Sequence, residues 1–219
     1  MKEVSRTKAL WLEVGAIAAF LGLGNLLAPF AYYGYPTGPS GTRYDVNLHL
    51  LGTHLGSIAL VLFVLWNSGD ALEKFGLRRF GGFNDLALTG LLGILLSAVY
   101  LLPNRGSSGY PNFDPLRPTN PIPLVTGVIE VVIAAFFEEL TCRGLLVARL
   151  EELTAKPWLA VLVSSCFFAS LHTYQGWTGV FYAFVTGLIL SIAFSSRPSL
   201  WPVTIAHAAL NLTFFVQLK

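Results

Sequence analysis

The chain has 219 residues, of which 54% are hydrophobic and 12% charged, and its formal net charge is +2. An average soluble domain has about 25% charged residues, and the mean hydropathy of this chain is +0.62. These values exclude a disordered chain, a coiled coil, a disulfide scaffold and a basic nucleic-acid-binding domain. They favour an all-α, polytopic membrane protein with a single transmembrane domain over residues 1–219.

Seven apolar stretches follow one another along the chain and predict about seven transmembrane helices. They cover residues 9–30, 48–67, 86–102, 122–148, 158–174, 178–195 and 200–217. The first resembles a signal peptide, but its apolar part is about 20 residues, longer than a signal peptide needs, so we expect it to be retained. Two Gly- and Pro-rich segments, 32–45 and 103–121, cannot continue a helix and are expected to be loops.

The Lys and Arg residues are distributed unevenly between the two sets of connecting segments. With the N-terminus inside, the inner segments contain Lys2, Arg6, Lys8, Lys74, Arg78, Arg79, Arg143, Arg149, Lys156 and Arg197. The outer segments contain only Arg43, Arg105, Arg117 and Lys219. By the positive-inside rule we expect an integral protein of the plasma (cytoplasmic) membrane with its N-terminus inside.

The fourth predicted span contains charged residues, which are costly in a membrane and therefore point to a function. Glu139 and Arg143 are four residues apart with the acid first, the favourable order for a helical ion pair. Glu138 lies about 100° around the helix from Glu139. Since one cation neutralises one of the two acids, the other is a candidate general base.

Two further spans contain polar side chains at helical spacing. Phe168 and His172 are four apart in the fifth span, and His207 and Asn211 are four apart in the last. Because polar groups facing lipid are costly, we expect them to converge with the acids in a polar intramembrane cavity. Such a set supplies a base, a group that positions water, and donors for an oxyanion. For His172 to reach Glu138, either the fourth helix continues to about Arg149 or the fifth span starts outside the hydrocarbon, and we expect the first.

Three strings in these spans resemble the motifs of a known family. FEELTCR, FASLH and HAALN, in this order, resemble the motifs of the CPBP family, the CAAX prenyl endopeptidases and their bacterial relatives, also called the Abi family. The resemblance covers a motif-bearing core at 122–217, whereas residues 1–121 are similar only in being membrane-spanning. The chain has Thr141 and Cys142 where relatives often have bulky apolar residues.

The resemblance implies an intramembrane glutamic endopeptidase that uses no metal or other cofactor. Glu138 and His172 would activate the water, and His207 and Asn211 would hold the oxyanion. The supporting positions would be Glu139, Arg143 and Phe168. The substrate would be a membrane-anchored or lipidated protein or peptide in the lipid bilayer, with no nucleic-acid partner, and the family's two roles are processing of anchored proteins and maturation of, or immunity to, bacteriocins.

Other interpretations stay open from the residues alone. Two histidines and one glutamate also match the ligand set of a zinc protease, although a His-Glu-x-x-His helix is absent from the sequence. The charged residues can be a structural ion cluster in a non-catalytic membrane scaffold or bacteriocin immunity protein. They can also form the proton relay of a small transporter.

Several further residues in the spans have a structural interpretation. Glu130 either lines the cavity or bonds a neighbouring span, and His49 and His54 are interpreted as packing or backbone-bonded side chains. Cys142 and Cys166 are expected to be reduced, buried thiols. The span glycines are interpreted as sites of close helix packing; they are Gly15, Gly22, Gly24, Gly52, Gly56 and Gly187.

Overall fold

The computed structural model describes residues 6–20, 43–100 and 121–217, without the side chains of 43–50, 100, 121–124, 174 and 214–217. Within these ranges all regular structure is helical and no strand is present, which confirms the all-α prediction for this part of the chain. Some of the predicted features lie outside the described residues. They are most of the two predicted loops, the second half of the first predicted span, Gly22, Gly24 and the side chain of His49.

The helices coincide with the apolar stretches of the sequence. They are α1 (6–20), α2 (Arg43–Asn67), α3 (Phe83–Tyr100), α4 (Pro121–Glu139), α5 (Ala148–Thr154), α6 (Pro157–Ser170), α7 (Gly176–Ser196) and α8 (Leu200–Gln217). Among the described residues, α7 alone is both long and apolar enough to cross a membrane, with a mean hydropathy of 1.8. Shorter apolar helical segments lie in α2, α3 and α6, at Leu51–Asn67, Phe83–Val99 and Pro157–Ser170.

Helix α4 does not end at Glu139 but continues into α5 through a π-helical segment, Leu140–Val147. The helix therefore extends past Arg149, as expected for the predicted site. All eight residues of the π segment are buried. Short π-helical segments occur frequently at functional sites. The left-handed conformation of Ala155 ends α5, and Pro157 then begins α6.

The apolar core is built mainly from leucine and phenylalanine side chains of α2, α3, the π segment, α7 and α8. Its fully buried members include Leu65, Phe75, Leu92, Leu96, Leu140, Leu145, Leu190, Phe194 and Leu200. A smaller buried cluster contains Cys142, Phe168, Ala169 and Ala183. The two cysteines are free, but only Cys142 is buried; Cys166 is exposed, so the prediction of two buried thiols was wrong for that residue.

The interpretation of the span glycines holds for one of the described positions. A Cβ atom added at Gly187 would lie 3.2 Å from the Cα and Cβ atoms of Ser165, so α6 and α7 approach closely there. A Cβ atom at Gly15, Gly52 or Gly56 would meet no described atom within 4 Å. The described residues therefore show no close packing at these three glycines.

Large apolar side chains cover much of the outer surface of the helices. The most exposed include Phe63, Trp66, Phe83, Ile94, Trp158, Trp177, Phe181 and Ile192. Trp177 is 90% exposed and Phe83 is 81% exposed. Exposed apolar surface of this extent is typical of a protein that contacts a membrane or another protein.

Charged residues are concentrated at one end of the bundle, where the buried Arg149 forms the centre of an ion network. Its guanidinium lies 2.9 Å from Glu13, 2.6 Å from Asp70 and 3.2 Å from Glu152. Arg6 also binds two of these three acids, Asp70 at 2.9 Å and Glu152 at 2.8 Å. Although burial raises the pKa of Asp70, hydrogen bonds from Arg149 and Arg6 and the charge of Lys74 lower it to about 2.

A second network at this end is centred on the buried Asp85. Its carboxylate lies 2.7 Å from Arg78 and 3.0 Å from Arg197, and it accepts hydrogen bonds from Ser199 and from the backbone of Gly81. The two networks therefore bring together basic residues from the segments that the sequence assigns to the inner side. These residues are Arg6, Lys74, Arg78, Arg149 and Arg197.

Candidate active site

The adjacent acids Glu138 and Glu139 lie at the end of α4, immediately before the π segment. Glu139 is fully buried, and its Oε1 atom accepts a hydrogen bond from Arg143 Nη1 at 2.8 Å. This confirms the ion pair predicted from their spacing. The same oxygen accepts a hydrogen bond from His207 Nδ1 at 2.7 Å. One carboxylate therefore connects the first motif to α8.

The guanidinium of Arg143 is held on two further sides. Its Nη2 atom donates to the carbonyl oxygen of Gly187 at 3.2 Å, and its Cζ atom lies 4.6 Å from the centre of the Phe168 ring. A cation over an aromatic face is stabilised by the ring quadrupole. Arg143 consequently links the first motif to α6 and α7.

Glu138 has a different environment from its neighbour. Its Oε2 atom lies 3.6 Å from His207 Nε2, and its side chain is 22% exposed. Oε2 has no hydrogen-bond partner among the described residues. Among the described residues, Arg143 thus neutralises Glu139, and the basic side chain that contacts Glu138 is His207.

The second motif places His172 next to Phe168, but not within a helix as predicted. Helix α6 ends at Ser170, and His172 lies in the connection to α7. Its Nδ1 atom is 2.8 Å from the carbonyl oxygen of Phe168. Because a carbonyl only accepts, Nδ1 bears the proton and the lone pair of the neutral ring is on Nε2.

Phe168 is the contact between the second and third motifs. Its ring centre lies 4.6 Å from that of His172 and 5.7 Å from that of His207. His207 is buried, and Asn211 follows one turn later on α8, partly buried. The structure thus brings Glu138, Glu139 and Arg143 together with His207 directly, and brings His172 to them through Phe168.

A second acid–imidazole contact connects α2 and α4, and the sequence did not predict it. His54 Nδ1 lies 3.2 Å from Glu130 Oε1, and the His54 ring centre lies 5.5 Å from that of Phe137. Of the two interpretations of Glu130, the structure supports the bond to a neighbouring helix. The ring contact with Phe137 agrees with the interpretation of His54 as a packing residue, and the Glu130 carboxylate beside it was not predicted.

Within the described ranges, no group of three or more His, Cys, Asp or Glu side chains is arranged to hold a metal ion. The zinc hypothesis requires Glu138, His172 and His207 to converge on one point. His172 Nδ1 contacts the Phe168 carbonyl and His207 Nδ1 contacts the Glu139 carboxylate, contacts that metal-binding histidines also make through the ring nitrogen that does not bind the metal.

In the described residues all regular structure is helical, and buried acid, guanidinium and imidazole groups from several helices contact one another. This combination defines a class of helical proteins with a polar site in their interior. Residues 120–213, which are 94 of the 219 residues, match the family model described as type II CAAX prenyl endopeptidase Rce1-like. The family predicted from the three motifs is confirmed, and all three motifs lie within the matched residues. No curated protein and no solved structure matches the chain significantly.

Proposed function

We propose that the protein is an intramembrane glutamic endopeptidase that hydrolyses a peptide bond of a membrane-anchored or lipidated substrate. The observation that carries this proposal is the unequal environment of the two adjacent acids. Glu139 is fully buried, neutralised by Arg143 and hydrogen-bonded to His207. Glu138 is 22% exposed, and its Oε2 atom lies 3.6 Å from His207 Nε2 and has no hydrogen-bond partner among the described residues. A carboxylate with an oxygen that no protein donor occupies can accept a proton from water and is suited to act as a general base.

The proposal includes a membrane location with seven spans and the N-terminus inside the plasma membrane. It is supported by the exposed apolar surface of α2, α3, α6 and α7 and by the length and apolarity of α7. The concentration of basic side chains at one end of the bundle also supports it. A polar cavity among α4, α6 and α8 is the proposed place of reaction.

Water activation is assigned to Glu138 and His172. The carboxylate and the lone pair on His172 Nε2 each accept one hydrogen of the same water, which leaves an oxygen lone pair for the scissile carbonyl carbon. As the C–O bond forms, the proton passes to Glu138. The Phe168 carbonyl holds the required tautomer of His172 through Nδ1.

Stabilisation of the oxyanion is assigned to His207 and Asn211. The Glu139 carboxylate on Nδ1 stabilises a positive charge on the His207 ring, and a charged ring donates from Nε2. The amide of Asn211 supplies a second donor. When the tetrahedral intermediate collapses, the C–N bond breaks and Glu138 returns its proton to the leaving nitrogen, which gives one carboxyl and one amino terminus.

The substrate class follows from the family description, which names CAAX prenyl endopeptidases. We propose that this chain acts on the same chemical class, a protein C-terminus bearing a lipid. The exposed apolar surface gives such a lipid a route from the bilayer to the site.

The test is cleavage of lipidated C-terminal peptides by the purified, reconstituted protein, with products identified by mass spectrometry. We expect cleavage that persists in a chelator and is lost in His172→Gln. Cleavage that is abolished by the chelator and restored by zinc would instead support the zinc protease. A protein that cleaves nothing but retains its cellular phenotype after Glu138→Gln would be a scaffold or immunity protein, and proton-driven flux without cleavage would indicate a transporter.

A further inference from the structure

Helices α6 and α7 approach each other most tightly at a glycine outside the three motifs. A Cβ atom at Gly187 would lie 3.2 Å from Ser165 Cα and Cβ and 3.4 Å from Phe168 Cδ1. Ser165 and Phe168 are both buried, so neither can turn away into open space. Because 3.2 Å is shorter than an ordinary carbon contact, an alanine here requires α6 and α7 to separate by a few tenths of an ångström.

The carbonyl oxygen of the same residue belongs to a chain of polar contacts. It accepts a hydrogen bond from Arg143 Nη2 at 3.2 Å, and Arg143 in turn binds Glu139 at 2.8 Å. Glu139 then accepts from His207 Nδ1 at 2.7 Å. A shift of the Gly187 carbonyl is therefore transmitted through Arg143 and Glu139 to the His207 ring.

A second chain of contacts begins at the position where a Cβ atom of residue 187 would lie. Phe168 lies against this position, its carbonyl oxygen holds His172 Nδ1 at 2.8 Å, and its ring contacts both imidazoles. A shift of Phe168 is therefore transmitted to His172. Both histidines of the site depend on the backbone of one residue on α7.

We infer that Gly187 is a positioning residue that sets the orientations of His172 and His207 together, an inference that rests on the proposed function for its catalytic consequence. It touches no reacting atom itself and acts through Arg143 and Phe168. A displacement of the catalytic groups by a fraction of an ångström to 1 Å lowers turnover by roughly 10- to 100-fold.

The inference is tested with Gly187→Ala, using Gly90→Ala as the matched control. Gly90 also lies within a helix, but a Cβ atom there would meet no described atom within 4 Å. The chain has four histidines, so 15N-histidine NMR of the reconstituted protein, assigned by replacing each in turn, reports the tautomers of His172 and His207. Lipidated-peptide cleavage is measured on the same samples, with folded fractions determined by size-exclusion chromatography and thermal unfolding.

In Gly187→Ala we expect altered His172 and His207 resonances and a kcat reduced roughly 10- to 100-fold, with KM within about twofold of the wild type. Gly90→Ala is expected to match the wild type in both measurements. Adding Ser165→Gly to Gly187→Ala removes the Cβ contact at 3.2 Å and should restore part of both signals.

The inference is overturned if Gly187→Ala retains wild-type histidine spectra, whatever its activity, or if its kcat falls only in proportion to the folded fraction. If the proposed function is wrong, the experiment gives a different set of results. In that case the wild type cleaves no peptide, while the NMR comparison still decides whether Gly187 positions the two rings.

Discussion

Glu138 and Glu139 are adjacent and both contact His207, but they differ in burial and in contact with Arg143. Glu139 is fully buried between Arg143 and His207, while the side chain of Glu138 is 22% exposed and its Oε2 atom is 3.6 Å from His207 Nε2. Environments that differ in this way allow adjacent carboxylates to have different roles. We assign a structural role to Glu139 and the catalytic role to Glu138.

The structural role predicts a large effect of Glu139→Gln on stability. The substitution leaves the buried Arg143 guanidinium without a neutralising charge, and breaking a buried ion pair costs about 3 kcal/mol. Thermal or denaturant unfolding in detergent measures this loss.

The control for Glu139→Gln is the same substitution at the neighbouring position. Glu138→Gln changes the volume just as little, and we expect its unfolding transition to stay near that of the wild type. Equal destabilisation by the two substitutions would contradict the division of roles.

At the residue level, the sequence predicted contacts within a helix but not contacts between helices. The Glu139–Arg143 pair follows from a spacing of four residues. The contacts of His207 with Glu139 and of His54 with Glu130 join residues on different helices. They depend on how helices pack, which spacing along one chain does not specify.

At the level of the elements, the π segment is held to α6 by one buried hydrogen bond. Ser164 Oγ donates to the carbonyl oxygen of Cys142 at 2.7 Å, and both residues are fully buried. The helix that leads to Phe168 and His172 is thereby fixed to the segment that contains Arg143. We expect this bond to keep the motifs in register.

Ser164→Ala removes that bond, and we expect a loss of stability of about 1 kcal/mol together with a lower kcat. The matched control is Ser170→Ala on the same helix, where the exposed hydroxyl donates to the carbonyl oxygen of Phe167 within the helix. Unfolding and cleavage measured on both variants test the prediction. Identical behaviour of the two variants would show that the Ser164 bond does not support the site.

Hydropathy predicted where the described helices lie but neither their hydrogen-bond pattern nor their orientation. Apolar content is the same in an α-helix and a π-helix. Hydropathy therefore does not predict the change from one to the other at Leu140–Val147. Helices that are apolar on all sides also give no indication of which face meets the core. This is why Cys166 on α6 was expected to be buried and is exposed.

At the scale of the whole molecule, the network around Arg149 joins α1 and the connection after α2 to α5. Its carboxylates include Asp70, whose pKa is lowered to about 2, and Glu152, whose pKa the neighbouring Lys74 and Arg6 lower against the effect of burial. The network therefore connects the N-terminal part of the described chain to the part that contains the motifs.

This network predicts how stability depends on pH. A carboxyl whose pKa is lower in the folded chain than its ordinary value of 3.8 stabilises the fold above about pH 4. This stabilisation is lost as the pH falls through that range towards 2. We expect the melting temperature of the wild type to fall over this interval.

The contribution of Asp70 is isolated by Asp70→Asn, which cannot titrate. The variant should be less stable than the wild type at pH 7, and its melting temperature should change less between pH 4 and pH 2. Parallel curves for the two proteins would contradict the assignment of this pH dependence to Asp70.

The central claim is that Glu138 is the base that activates water, and its most direct test is a comparison of two isosteric variants on one helix. Glu138→Gln and Glu130→Gln each remove one carboxylate from α4, but only the first lies next to His207. Cleavage of a lipidated peptide is measured for both in the presence of a chelator. The account predicts that Glu138→Gln abolishes cleavage while Glu130→Gln retains it, and wild-type cleavage by Glu138→Gln would contradict it.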